Sequence, residues 1–236
     1  LFIELGDDVA KQIPAQFVAA KRTWVGVTGR ARVLAYSPER VTALPQSFTE
    51  LTSSTFKNKV GIAPTNASFQ AFVTALIENK GEAFTKKWLT DLKANGAKIY
   101  AKNSVIVEAI DKGEIDLGLV NHYYIWETSE SLGRPVKAKV SYFAAGDLGN
   151  LINVSGAGIF ASSKKQAAAA DLINFLTSAV IQKKFVTDTH EYSLLPGAQA
   201  PADVPGLEDI GAPTVDLNSL TNIKRTQDLL IEVGLL

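Results

Sequence analysis

Cysteine is absent from this 236-residue chain. No disulfide, cysteine–zinc site or thiol nucleophile can be built from it. Methionine is absent too, even at position 1, and the only histidines are His122 and His190. A histidine-rich metal site is therefore excluded within the chain alone. Neither sign of charge is in excess, since Lys plus Arg and Asp plus Glu number 24 each. That leaves no net field for nucleic acid or an anionic membrane, and no arginine-rich run or aromatic RNA motif occurs. No apolar stretch approaches the ~20 residues that span a bilayer. Leu1-Phe2-Ile3-Glu4-Leu5 carries no charged n-region or signal-peptide core, so a processed or truncated product is expected. No Gly-x-Ser-x-Gly elbow, P-loop or Gly-x-Gly-x-x-Gly follows a strand-like run. Asp188 and Glu191 flank His190, but such a trio near a helix end reads as solvated surface.

What is present is an ordinary folded balance, 46% hydrophobic and 20% charged. Short β-rich runs alternate with longer helical ones, the pattern of an α/β protein. Strands are predicted at 24–27 and 32–36, broken by Gly29, and at 59–63, 98–101, 116–120 and 139–144. Helices are predicted at 7–13, 66–79, from Gly81 to Asn95-Gly96, 103–112 with Asn103 as cap, 122–132, 180–187 and 221–233. Ser163-Lys164-Lys165-Gln166 reads as a capping box before an alanine-rich helix. The glycine-rich stretch 146–158 reads as a crossing segment, and 195–213 as extended loop.

The most informative feature is Asn121-His122-Tyr123-Tyr124, placed directly after a short apolar strand. Adjacent residues in mid-helix point about 100° apart, but a strand-to-helix junction can aim both phenols at one point. Paired phenolates are hard oxygen donors suited to a small, highly charged cation such as Fe³⁺. A bound cation also supplies the help that phenols, with an ordinary pKa of about 10, need to ionise near neutrality. Adjacent tyrosines in a globular protein are usually packing or surface residues, and the residues around this pair favour the metal reading. Asn121 either caps the helix or donates to an anion. Two other polar junctions follow predicted strands: Pro64-Thr65-Asn66-Ala67-Ser68 and Asn103. Helix starts of this kind offer backbone N–H groups to phosphate or carbonate. In open α/β sheets ligands bind beyond the carboxyl ends of strands, and all three junctions are such ends.

At these residues the chain resembles the ferric-ion-binding periplasmic proteins of bacterial ABC iron importers. Trp24-Val25-Gly26-Val27-Thr28-Gly29-Arg30-Ala31-Arg32-Val33 is similar to that family's Trp-x-x-x-Ser-Gly-Arg-x-Arg-Val segment. Tyr100-Ala101-Lys102-Asn103-Ser104-Val105 resembles its Tyr-Ala-Lys-Asn-Ser-Val run, and Asn121–Tyr124 its Asn-x-Tyr-Tyr iron motif. Ser155-Gly156-Ala157 and Glu191-Tyr192 also have counterparts. The resemblance implies an α/β, two-lobed periplasmic (type II) solute-binding fold. It implies Fe³⁺ bound by Tyr123 and Tyr124, and a synergistic anion, carbonate or phosphate, held near Asn66, Ala67, Ser68, Asn103 and Asn121. It also implies no catalysis, a monomer, delivery to an ABC permease, and a periplasmic or membrane-anchored extracellular location.

Two departures stand out. Asn66-Ala67-Ser68 replaces the Ser-Gly-Ala of many relatives. The family's first strand and helix, with a histidine ligand, and a later glutamate ligand have no match, so a stretch of roughly seventy residues is expected to be missing. The expected lobes are 1–29 with 154–204, partial and N-terminal, and 30–153 with 205–236, C-terminal. Closure about the crossings would bury the ligand. Arg30 and Arg32 near the first crossing read as strand-surface charges, with a supporting or hinge role as the alternative. The same fold around another solute, a phosphate-like anion, thiamine or a polyamine, is the competing reading.

Overall fold

Residues Val25–Tyr36 form one strand, β1, in the computed structural model, which describes residues 1–236. Its pattern is buried on both faces along nearly its whole length, as expected of a central strand covered on both sides. The break expected at Gly29 does not occur. Instead Gly29 lies against Tyr192 and Leu194, where an added Cβ would come within 3.0 Å of the Leu194 side chain. Its glycine serves close strand packing rather than a turn.

The chain divides into two compact units. The first comprises Leu1–Arg30, Asn153–Asp209 and Asp216–Asn218, and the second Ala31–Ile152, Ile210–Val215 and Ser219–Leu236. In the first unit, β1 pairs antiparallel with β7 (Tyr192–Ser193), placing Thr28 opposite Ser193. Helices α5 (Gln166–Leu176) and α6 (Ala179–Lys184) follow β6 (Ile152–Ala157), and a π-turn spans Phe185–Thr189. The helix expected at 7–13 is absent. Ala10 sits at φ 50°, and the carbonyls of Leu5, Gly6 and Val9 accept from the Arg22 guanidinium, which holds the segment as turns. The capping box does not close either. Gln166 donates to the Ala161 carbonyl instead.

The second unit carries the sheet order β3-β2-β4-β1-β5. Strands β2 (Val60–Ile62), β3 (Lys98–Ile99) and β4 (Leu117–Asn121) run parallel, whereas β1 runs antiparallel to β4 and to β5 (Lys139–Ser141). Each parallel strand feeds a helix: β2 into α1 (Ala67–Lys80), β3 into α3 (Asn103–Lys112), β4 into α4 (Tyr124–Leu132). Helix α2 (Glu82–Ala94) buries Trp88, Leu89 and Leu92, and α7 (Ile223–Glu232) buries Leu229 and Leu230. One core gathers these with Phe48, Phe69, Phe72, Ile62 and Leu119. Phe48, Phe72 and Trp88 meet edge to face at 5.3–5.8 Å between centroids, the preferred aromatic geometry.

A pair of glycines sets the height of α3 over the sheet. Gly61 stands opposite Gly118 across the β2–β4 ladder. A Cβ at Gly118 would come 2.3 Å from Ile106 of α3, and one at Gly61 would come 2.5 Å from Ile115. Without those carbons α3 settles close on the strands, and its first residue, Asn103, is carried to the sheet's carboxyl edge.

Candidate ligand site at the ends of three parallel strands

Because β3, β2 and β4 are neighbours and parallel, their carboxyl ends lie along one edge of the second unit. That edge is where an open α/β sheet offers a ligand site. The three polar junctions anticipated in the sequence meet there, and their hub is the Ser68 hydroxyl. Ser68 Oγ donates to Asn66 Oδ1 at 2.7 Å. It accepts from Asn103 Nδ2 at 3.1 Å and from Arg32 Nη1 at 3.2 Å. A hydroxyl has one proton and two lone pairs, so all of its capacity is engaged.

Asn66 caps α1, its Oδ1 also accepting from the Ser68 amide at 2.9 Å. Ala67 is the first residue of α1, where backbone N–H groups have no partner within the helix. Asn103 differs from expectation. Lys102 is the cap of α3, and Asn103 is its first helical residue, fully buried, with its amide turned to Ser68 rather than to its own helix. Its Oδ1 has no hydrogen-bond partner.

The tyrosines stand at the third junction. Tyr123 is the cap position of α4 and Tyr124 its first residue, so the helix begins two residues later than the sequence suggests. Their rings are 4.5 Å apart between centroids and tilted by 31°, which places both phenols on one side. Asn121 donates weakly to Tyr123 Oη at 3.5 Å. Burial pushes the Tyr124 phenol well above its ordinary value, and the hydroxyl and charge of Tyr123 push the same way. A hydrogen bond with Asn66 works against that rise and ties the pair to the Ser68 cluster. His122 is fully buried behind them, with Nδ1 accepting from the Ala31 amide at 3.3 Å. No group of three or more His, Cys, Asp or Glu side chains able to hold a metal occurs. The phenols of Tyr123 and Tyr124 are hard oxygen donors at this edge.

Two arginine readings need correction. Arg32 is not a strand-surface charge: it is 2% exposed and lies opposite Asn121 across the β1–β4 ladder. The signal was available, because Arg32 is followed in β1 by Val33-Leu34-Ala35, apolar on both faces, which leaves it no water to reach. Arg30 is half-buried and ion-paired to Glu191 Oε1 at 2.8 Å, while Glu191 Oε2 accepts from Thr28 Oγ1 at 3.0 Å. Glu191 is therefore a structural anchor of the first unit rather than solvated surface.

A polar rim at the ends of parallel strands is where an open α/β sheet takes a ligand, and comparison with known proteins gives the class. The family model for bacterial extracellular solute-binding proteins matches residues 2–220. The Fe(3+)-binding periplasmic protein of Serratia marcescens is 33% identical over 240 residues, taking in 100% of this chain and 70% of the relative. The major ferric iron-binding protein of Neisseria meningitidis is 34% identical over 221 residues, or 92% of this chain and 66% of the relative. The crystal structure of iron-bound HitA from Pseudomonas aeruginosa superposes with a TM-score of 0.91 at 30% identity, covering 99% of this chain and 76% of that one. The chain belongs to the bacterial extracellular solute-binding proteins and, within them, to the ferric-iron-binding periplasmic family. It spans 66–70% of the length of the two relatives compared by sequence. The family binds solutes and is not enzymatic. No helix is long and apolar enough to cross a membrane.

Proposed function

We propose that this chain captures ferric iron through Tyr123 and Tyr124 and hands it to an ABC-type permease. The observation that carries this is the tyrosine pair, with rings 4.5 Å apart at the carboxyl end of β4, beside the Ser68 cluster. As phenolates they present two hard anionic oxygens to a hard cation. Ionisation is driven by the metal, so binding expels protons and strengthens as pH rises. A synergistic anion, carbonate or phosphate, held near Asn66, Ala67, Ser68, Asn103 and Asn121, completes the iron's shell. Buried Arg32 and the positive end of α1 favour that anion. The name of the Serratia marcescens relative supports a periplasmic place of work, with a membrane-anchored extracellular one as the variant of the same reading; a monomer is the proposed working form. The second unit is then the lobe carrying the tyrosines, and the first unit is part of the other lobe.

The test is an Fe³⁺ titration with carbonate or phosphate, followed by visible absorbance. Tyrosinate bound to ferric iron gives a charge-transfer colour. We expect colour in the wild type and none in the Tyr123→Phe, Tyr124→Phe double variant. The neutral amides of Asn66 and Asn103 around Ser68, with a cation behind them, also favour a phosphate-like anion taken alone. Phosphate binding without colour at any iron concentration would establish that second reading.

A further inference from the structure

Arg32 is the one site residue whose burial has no obvious counterweight. A guanidinium moved out of water is costly unless a counter-charge compensates. Yet Arg32 makes no ion pair with any carboxylate. Its partners are all neutral: Ser68 Oγ at 3.2 Å, the Leu119 carbonyl at 3.1 Å, and the faces of Phe69 and Phe72, each centroid 5.3 Å from Cζ. Its Nε has no partner at all. Burial lowers its pKa to about 9, with Tyr124 acting the other way, so the charge persists at neutral pH.

We infer that Arg32 is the positioning residue of the anion half of this site, fixing the Ser68 hydroxyl and supplying the buried positive charge that the bound anion neutralises. The inference rests on the anion part of the proposed function and adds the residue that governs it. The geometry points one way. Arg32 fixes Ser68 from beneath, through Nη1, while Nη2 is anchored to the strand carbonyl of Leu119. Ser68 in turn holds the amides of Asn66 and Asn103. One buried donor of this cluster, Arg32 Nε, stays unpaired, which is costly and rare in a finished polar network. An oxyanion bound here meets a charge that protein carboxylates have left uncompensated.

Inorganic phosphate binding to metal-free protein, read by the shift in melting temperature, tests this directly. Arg32→Met is expected to weaken phosphate at least tenfold. Arg32→Lys keeps the charge but loses the two-point grip on Ser68 and Leu119, and is expected to fall between Met and wild type. Leu172→Ser, at an exposed side chain of the first unit, is expected to bind phosphate within threefold of wild type. A merely structural role would lower the melting temperature of the variants and leave the phosphate constant unchanged, and that result overturns the inference. So does equal loss in Arg32→Lys and Arg32→Met, because charge would then count for nothing. Should Arg32→Met fail to fold, Ser68→Ala and Arg32→Lys replace it, and wild-type phosphate binding in either overturns the inference. Wild-type protein that takes phosphate but shows no colour with Fe³⁺ defeats the iron reading and leaves this one standing. Colour with iron but no phosphate binding, alone or with the metal, does the reverse.

Discussion

The second unit holds most of the buried apolar core, and the first holds a smaller share. Among the twelve largest fully buried side chains, Tyr192 alone belongs to the first unit. The first unit instead leaves Phe160, Leu172, Phe175 and Val180 more than half exposed. Its order comes from specific polar ties. Thr28, Arg30 and Glu191 form one, and Gln182 forms another, donating to the Val27 carbonyl at 2.7 Å and accepting from Ser193 Oγ at 2.9 Å. The lesson concerns where a binding site can be built. All of the candidate ligand residues stand on the unit whose strands and helices are locked by packing, which is what holding donors to fractions of an ångström requires.

That contrast is sharpest in its largest effect. Trp88→Ala empties the centre of the aromatic cluster and frees the Phe48 carbonyl that its indole N–H reaches at 3.3 Å. A loss of about 3–5 kcal/mol is expected from denaturant unfolding. A loss under 1 kcal/mol would mean the second unit is not the more tightly packed one. Next comes Asp111, 3% exposed at its side chain, which accepts from Arg134 and from the Lys137 amide at 2.8 Å. Those contacts, Arg134 foremost, hold its carboxyl below the ordinary range despite burial. A lowered folded pKa means stability that is present above the unfolded value of about 3.9 and lost as pH falls through the folded one. Asp111→Asn should therefore cost about 1–3 kcal/mol at pH 7 and progressively less below pH 4, read from unfolding midpoints across that range. The smallest effect lies on the first unit. Leu172→Ser, at a side chain 55% exposed, should move stability by no more than about 0.5 kcal/mol. A large change would show that this face is packed in solution.

Much of the second unit was legible because its signals are local. Asn66 as a cap, the stop at Asn95-Gly96 and the apolar face of α2 all follow from short-range chemistry. The alternation of strand and helix gave the α/β class, and the position of Tyr123 and Tyr124 after an apolar strand gave the candidate donors. What could not be read was tertiary. Gly29 signals a break in isolation, and only the approach of β7 shows why a side chain cannot stand there. Asn103 has the composition of a cap, but Ser68 from another helix claims its amide. Residues 7–13 have a helical composition that the carbonyl contacts of Arg22 override. Arg32 was misjudged because charge was taken to mean surface, when its neighbours in β1 are apolar on both faces.

The parallel order of β3, β2 and β4 also bears on the folding clock. Tyr123 and Tyr124 are chain neighbours, and Asn66 meets Ser68 within one helix start, but Asn103 and Arg32 reach Ser68 only through strands far apart in sequence. Non-local strand pairing is slow, since loop closure must be met before contacts reward it. A folding chain therefore holds its phenols side by side before its anion cradle is complete. A molecule halfway through folding meets iron with a pair of tyrosines and nothing behind them, so the complete site doubles as a report that the sheet has closed.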